Sequence, residues 1–164
     1  MKIGVVGHGT CGKDTVAELL ARSGRLVLDK EYCSTSVVIL DELLRMGAYP
    51  PDWSRNKVYE ARRTDRKLWY EIGRGMCVFD PAYLVRQCLL KSDIVVGSRA
   101  VEEIAACREG RLLDLVIWVH RPGTPTDPTM KYGPEMADLV INNSGDLLDL
   151  ERRVESLCGF ISWR

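Results

Sequence analysis

The chain has 164 residues, 46% of them hydrophobic and 28% charged, with 23 Lys and Arg against 23 Asp and Glu. That length suits one domain with a core of its own, and the composition excludes a disordered, collagen-like or disulfide-stapled chain. The balanced charge lacks the basic excess that marks many nucleic-acid-binding surfaces, although it leaves room for a local basic stripe, and no apolar run approaches the roughly 20 residues a membrane helix needs.

The N-terminal MKIGVVG reads as the opening of a strand rather than as a signal sequence. The six cysteines (Cys11, Cys33, Cys77, Cys88, Cys107, Cys158) are scattered without a CxxC pair, so they read as reduced thiols filling the core, and a cytoplasmic compartment is expected.

In chain order, KIGVV at 2–6 predicts a strand running into a glycine-rich turn, and DTVAELLAR at 14–22 has apolar residues at helical spacing. RLVLD at 25–29 predicts a second strand, and VVILDELLRM a helix ending near Gly47, before the break at Tyr49-Pro50-Pro51. NKVYEARRTDRKLWYEIG, from Asn56 to about Gly73, predicts one arginine-rich amphipathic helix, and Asp80-Pro81 opens another to about Lys91. DIVVGSR at 93–99 predicts a buried strand, 101–109 a helix, LDLVIWVH at 113–120 the most apolar strand, and ADLVI at 137–141 the last. RPGTPTDPTMKYGPEM between those two strands is too rich in Pro, Gly and Thr to be regular, and LLDLERRVESLCGF closes the chain as a helix.

Apolar strands alternating with helices predict an α/β fold: a five-stranded parallel sheet covered by helices on both faces through right-handed crossovers. Ligands of such sheets bind at the carboxyl ends of the strands. That directs attention to Gly7 through Thr15, Asp29, Arg99, His120-Arg121 and Asn142-Asn143.

Gly7-His8-Gly9-Thr10-Cys11-Gly12-Lys13 fits the phosphate-loop pattern G-x-x-x-x-G-K between a strand and a helix. Main-chain N–H groups of such a loop converge on phosphate oxygens, and Lys13 is expected to reach the β- and γ-phosphates of ATP. A glycine turn with an incidental lysine is the bland alternative. Asp14 takes the position where Ser or Thr usually ligates magnesium, with Thr15 one residue late, so both are candidate Mg ligands. Asp14 as a helix cap competes with that reading.

Gly12-Lys13-Asp14-Thr15 resembles the G-K-D-T loop of phage deoxynucleoside monophosphate kinases, which are P-loop kinases. The stretch from Asp93 to Glu102 resembles that family's apolar strand ending in D-x-R, with Gly97 standing where the family has an acid. The stretch from Ala137 to Leu148 is similar to the last strand and adenine-side turn of these kinases and of dephospho-coenzyme A kinases, which implies Asn142 and Asn143 at the nucleotide. The segment with Tyr32-Cys33 and Arg62-Arg63-x-x-Arg66-x-x-Trp69 looks instead like a group of small phage kinases that includes those acting on 5-hydroxymethyluracil in DNA. With Gly97 in place of the acid, Asp14 is the natural carboxylate for the metal.

Phosphoryl transfer depends on positioning and positive charge, so Arg62, Arg63 and Arg66 on the predicted helix, Arg99 at a strand end and Arg121 opening the irregular loop are candidate clamps. A solvated, ion-paired helix face is an equal reading for the first three. Trp69, with Trp53, Tyr59 and Tyr70, could stack an acceptor base or fill a core. Asp29 bears on the acceptor: a hydroxyl needs a carboxylate to take its proton, and a monophosphate does not. The sequence therefore predicts a single ATP- and Mg-dependent kinase domain acting on a nucleotide-type acceptor, with an acceptor-binding region at about 32–91 and a lid candidate at about 121–136. The alternatives are transfer to a hydroxyl, DNA included among acceptors, and a nucleotide-dependent regulatory module. The sequence leaves the oligomeric state open.

Overall fold

The computed structural model describes residues 1–23 and 31–161. The five strands among them are β1 (Ile3–Val6), β2 (Cys33–Ser34), β3 (Ile94–Val96), β4 (Leu115–His120) and β5 (Leu139–Asn142). They form one all-parallel sheet in the order β2-β3-β1-β4-β5, registered by Ile3 opposite both Ile94 and Leu115 and by Ile117 opposite Leu139. The helices are α1 (Lys13–Arg22), α2 (Thr35–Arg45), α3 (Arg55–Ala61), α4 (Arg66–Met76), α5 (Tyr83–Leu89), α6 (Val101–Glu109) and α7 (Leu147–Ile161). None of the helices in the described residues is long and apolar enough to cross a membrane.

Strand order determines which face each connection covers. From β1 the chain moves through α1 toward the β2 edge, and from β3 it moves through α6 in the opposite direction, so right-handed crossovers put α1 and α6 on opposite faces. The buried clusters follow. Ile3, Val5, Ile94, Val96, Ile117 and Val119 pack with α1 and α7, while Val6, Val116 and Trp118 face α6 and Met130 and Tyr132 of the β4–β5 connection. The two-residue alternation of a pleated strand accounts for that division. Helices thus cover both faces, and the reversal of direction occurs at β1, whose carboxyl end carries the glycine loop.

Beyond the β2 edge, α2, α3 and α4 enclose a satellite core of Leu40, Leu43, Val58 and Trp69. Ser34 caps α2 by accepting from Ser36 N, and Ser54 caps α3 by accepting from Lys57 N.

One expectation changes and one is not tested. The predicted strand at 25–29, with Asp29 at its end, lies outside the described residues, and the strand paired to β3 is Cys33–Ser34. The single helix expected from 56 to 73 is two, α3 and α4. Arg62, Arg63 and Thr64 donate their main-chain N–H groups three residues back, at 3.3, 3.1 and 3.1 Å, which tightens and ends α3. Tyr49 then pins the junction by donating to Asp65 Oδ2 at 2.8 Å. Arg62 and Arg63 consequently belong to the end of α3, and Arg66 begins α4.

Candidate functional site

The loop leaving β1 turns back on itself and enters α1 at Lys13. Gly12 has φ +97°, in the left-handed region, and a Cβ there would strike the Asn143 side chain, so only glycine fits. Asn143 is buried and donates Nδ2 to Cys11 O at 2.9 Å, while its main-chain N–H donates to His120 O at 2.7 Å. The loop is therefore braced from the end of β5, two strands away.

Lys13 is only 8% exposed, and its ammonium donates to His8 O at 2.6 Å. Burial lowers its pKa, and the positive charge of Arg99 lowers it further. Burial raises the Cys11 thiol, so Cys11 packs as a neutral group.

Asp14 is exposed in the first turn of α1, and Thr15 after it is half-buried. Burial raises the Tyr32 phenol, and the negative charges of Asp14 and Glu18 nearby raise it further. Tyr59 stands nearby: burial raises its phenol, Arg62 opposes that, and the Arg62 guanidinium lies 3.8 Å from its ring centre. Two phenols thus flank the exposed carboxylate.

On the other side of the loop, Arg99 Nη1 donates to Asp127 Oδ2 and to Thr129 Oγ1, both at 2.6 Å. Arg66 Nη2 lies 3.4 Å from the same Asp127 oxygen and close above Gly9, where a Cβ would come within 2.8 Å of it. Burial alone would raise the Asp127 carboxyl, but hydrogen bonds from Thr129 and Arg99 and the Arg99 charge outweigh it and hold the group well below the usual carboxylate range. His8 accepts at Nδ1 from Asp127 N at 3.3 Å, and its ring meets Trp118 edge-on at 5.4 Å.

Glu103 underlies Arg99: its Oε2 accepts from Arg99 N at 2.8 Å, its Oε1 has no partner, and burial raises its pKa. Lys131 N donates to Arg99 O at 2.9 Å and Tyr132 OH to Ser98 O at 2.9 Å, so the segment 127–132 is packed against the end of β3.

Of the residues singled out in the sequence, Gly7 through Thr15, Arg66 and Arg99 come together at the carboxyl end of the sheet, with Arg62 at their margin. Arg63 is exposed and paired with Glu60 at 3.2 Å, matching the solvated-face reading. Trp69 is 5% exposed, and its indole N–H donates to Tyr49 OH at 2.9 Å; it is a wall of the helical core and offers no open ring for a base. Arg121 and Asn142 are exposed, and Asn143 faces the loop backbone. Gly97 has φ +109°, and a Cβ there would come within 2.7 Å of Thr35 Oγ1, so an acid is sterically barred from that position.

No protein-family model matches the chain, and no curated protein sequence matches it either. The site has to be read from its own geometry.

Sequence reasoning missed Asp127, Thr129, Tyr32 and Glu103. Asp127-Pro128-Thr129 carried a local signal, since Asp before Pro starts turns and accepts from the N–H two residues on, as Thr129 N does at 3.1 Å. Its pairing with Arg99, 28 residues back, had none.

The donor set suits a polyphosphate: a loop closed around a lysine ammonium, a glycine that a Cβ would block, and arginines at the rim. Among the described residues, no three His, Cys, Asp or Glu side chains converge as a metal cluster. Asp14 and Thr15 supply hard oxygen donors next to the loop, which suits magnesium, an ion held by one or two side chains plus phosphate.

Proposed function

We propose that the protein is an ATP- and magnesium-dependent phosphotransferase of the P-loop kinase fold, acting on a nucleotide-type acceptor. The observation that carries the reading is the Lys13 ammonium, buried and held at 2.6 Å by His8 O inside a glycine loop at the carboxyl end of the central strand. A buried cation whose hydrogen bonds among the described residues are to the loop's own carbonyl and to the Cys11 sulfur, 3.9 Å away, is placed to exchange them for stronger ones to phosphate.

In this reading the main-chain amides from His8 to Lys13 bind the triphosphate, Lys13 neutralises the transferred group, and Arg99 with Arg66 holds phosphoryl oxygens from the opposite side. Asp14 and Thr15 would hold a magnesium ion, which would supply neutralisation of the phosphate charge. The resemblance to phage deoxynucleoside monophosphate kinases supports the acceptor class. Incubation with ATP and a panel of deoxynucleoside monophosphates, read by ADP release, tests it; turnover with at least one monophosphate is expected, and none with any rejects that class.

One observation favours a second reading, transfer to a hydroxyl. Asp14 is an exposed carboxylate next to Lys13 whose charge reaches the Tyr32 phenol, and a carboxylate so placed can accept a proton from an alcohol. Labelled phosphate entering hydroxymethylated but not ordinary DNA would decide for it.

A further inference from the structure

Asp127 joins parts of the chain that are far apart in sequence. Its carboxylate, 2% exposed as a residue, receives Arg99 from behind β3 and Arg66 from the first turn of α4 on the same oxygen, at 2.6 and 3.4 Å. The other oxygen is occupied by Thr129, whose N–H and hydroxyl donate at 3.1 and 2.7 Å, and the Asp127 N–H reaches His8 of the glycine loop at 3.3 Å. The carboxylate is thus fixed by its own turn, and the Asp127 backbone by the loop.

The two arginines are held more loosely. Each meets Asp127 through one terminal nitrogen, and their side chains remain 32% and 48% exposed, for Arg99 and Arg66 respectively. A guanidinium has five donors, so most are left for a ligand. Lys13, Arg66 and Arg99 put three cations around one loop, and long cationic side chains in that situation extend into water unless a counter-charge holds them.

We propose that Asp127 is a positioning residue that cross-links Arg66 and Arg99 into one preset anion clamp above Gly9, so that both guanidiniums are oriented before a phosphoryl group arrives. Its catalytic consequence rests on the phosphotransferase reading, and its geometric content does not. Clamp and glycine loop are also one unit, because the same residue ties to His8.

Arginine side-chain NMR of the wild type, Asp127→Asn and Asp127→Glu reads the positioning without requiring catalysis. Restricted guanidinium signals for Arg66 and Arg99 are expected in the wild type and averaged ones in Asp127→Asn, with partial restoration in Asp127→Glu. In steady-state kinetics, Asp127→Asn is expected to lower kcat by about 100-fold while the KM for ATP moves less than about 3-fold, since the loop amides and Lys13 still hold the triphosphate. An ion pair serving stability alone would lower the melting temperature and leave kcat of the folded protein unchanged, and that outcome overturns the proposal, as do equally restricted arginine signals in both proteins. Should Asp127→Asn not fold, Thr129→Val removes one hydroxyl from Asp127 and Arg99 without altering charge, and loosening of the Arg99 signal is the expected result. Should the wild type transfer phosphate to no acceptor, the phosphotransferase reading fails by itself. The arginine signals of Asp127→Asn then decide the clamp: averaged Arg66 and Arg99 resonances sustain it, and equally restricted ones overturn it.

Discussion

Replacing Asn143 separates two roles that its position allows, reading the base of a nucleotide and bracing the loop that holds the phosphates. The side chain is 6% exposed and spends its Nδ2 on Cys11 O at 2.9 Å. In Asn143→Ala the Cys11 carbonyl loses its donor in a buried setting, which costs about 1–3 kcal/mol. Taking about 2 kcal/mol, and a shift of about 2–4 °C per kcal/mol for a chain of this size, the melting temperature is expected to fall by roughly 4–8 °C. Asn143→Asp should be at least as damaging, because it sets an oxygen against the same carbonyl. Thermal unfolding followed by circular dichroism gives the stability, and parallel ATP and GTP titrations give the selectivity. A brace lowers stability and weakens both nucleotides alike. An unchanged melting temperature with an altered ATP-to-GTP ratio would refute the bracing argument.

Asp14→Asn is expected to reduce magnesium-dependent turnover by about 100-fold with little change in stability, since the side chain is exposed; near-normal turnover would remove Asp14 from the metal site. Trp69→Phe is expected to destabilise by about 1–2 kcal/mol through loss of the bond to Tyr49 and to leave the acceptor KM unchanged, measured by urea unfolding and initial rates. Asp127 and Glu103 should give opposite pH slopes of stability. The Asp127 carboxyl is depressed below its ordinary 3.8, so its contribution is full above that pH and is lost on acidification below it. The Glu103 carboxyl is raised above its ordinary 4.5, so its contribution is present below that pH and is lost as the pH rises toward its folded value. Urea midpoints from about pH 3 to 8 should accordingly show the acid loss blunted in Asp127→Asn and the loss with rising pH blunted in Glu103→Gln.

The elements legible in the sequence were those whose structure is set locally. KIGVV into Gly7, and the apolar run of LDLVIWVH, needed no tertiary information, because a strand buried on both faces is apolar at every position. The glycine loop was legible for the same reason: its turns are written in Gly7, Gly9 and Gly12. The break between α3 and α4 was not, since RRTDR carries no Pro or Gly and the junction is held by Tyr49 reaching Asp65 across 16 residues. β2 escaped notice because two residues are too few for an alternating pattern.

The candidate site divides along the same line. Lys13 and its loop could be named from spacing, whereas Trp69 was assigned to a ligand because aromatic and arginine residues at helical intervals describe a binding face and a packed face equally well. What distinguishes them is burial, which the sequence does not carry. Asp127 is the clearest loss: its chemistry depends on Arg66 and Arg99 arriving from 61 and 28 residues away. Gly97 shows the reverse, a departure from the resembling family that the backbone explains through its positive φ and the nearby Thr35 hydroxyl.

The proposed function depends on the glycine loop enclosing a triphosphate around Lys13. Calorimetric titration of magnesium and ATP into the wild type and Lys13→Ala measures that directly. Heat of association in the wild type, with affinity reduced at least about 10-fold in Lys13→Ala, is the result the account requires. No heat with the wild type, or equal affinity in the two proteins, would contradict it.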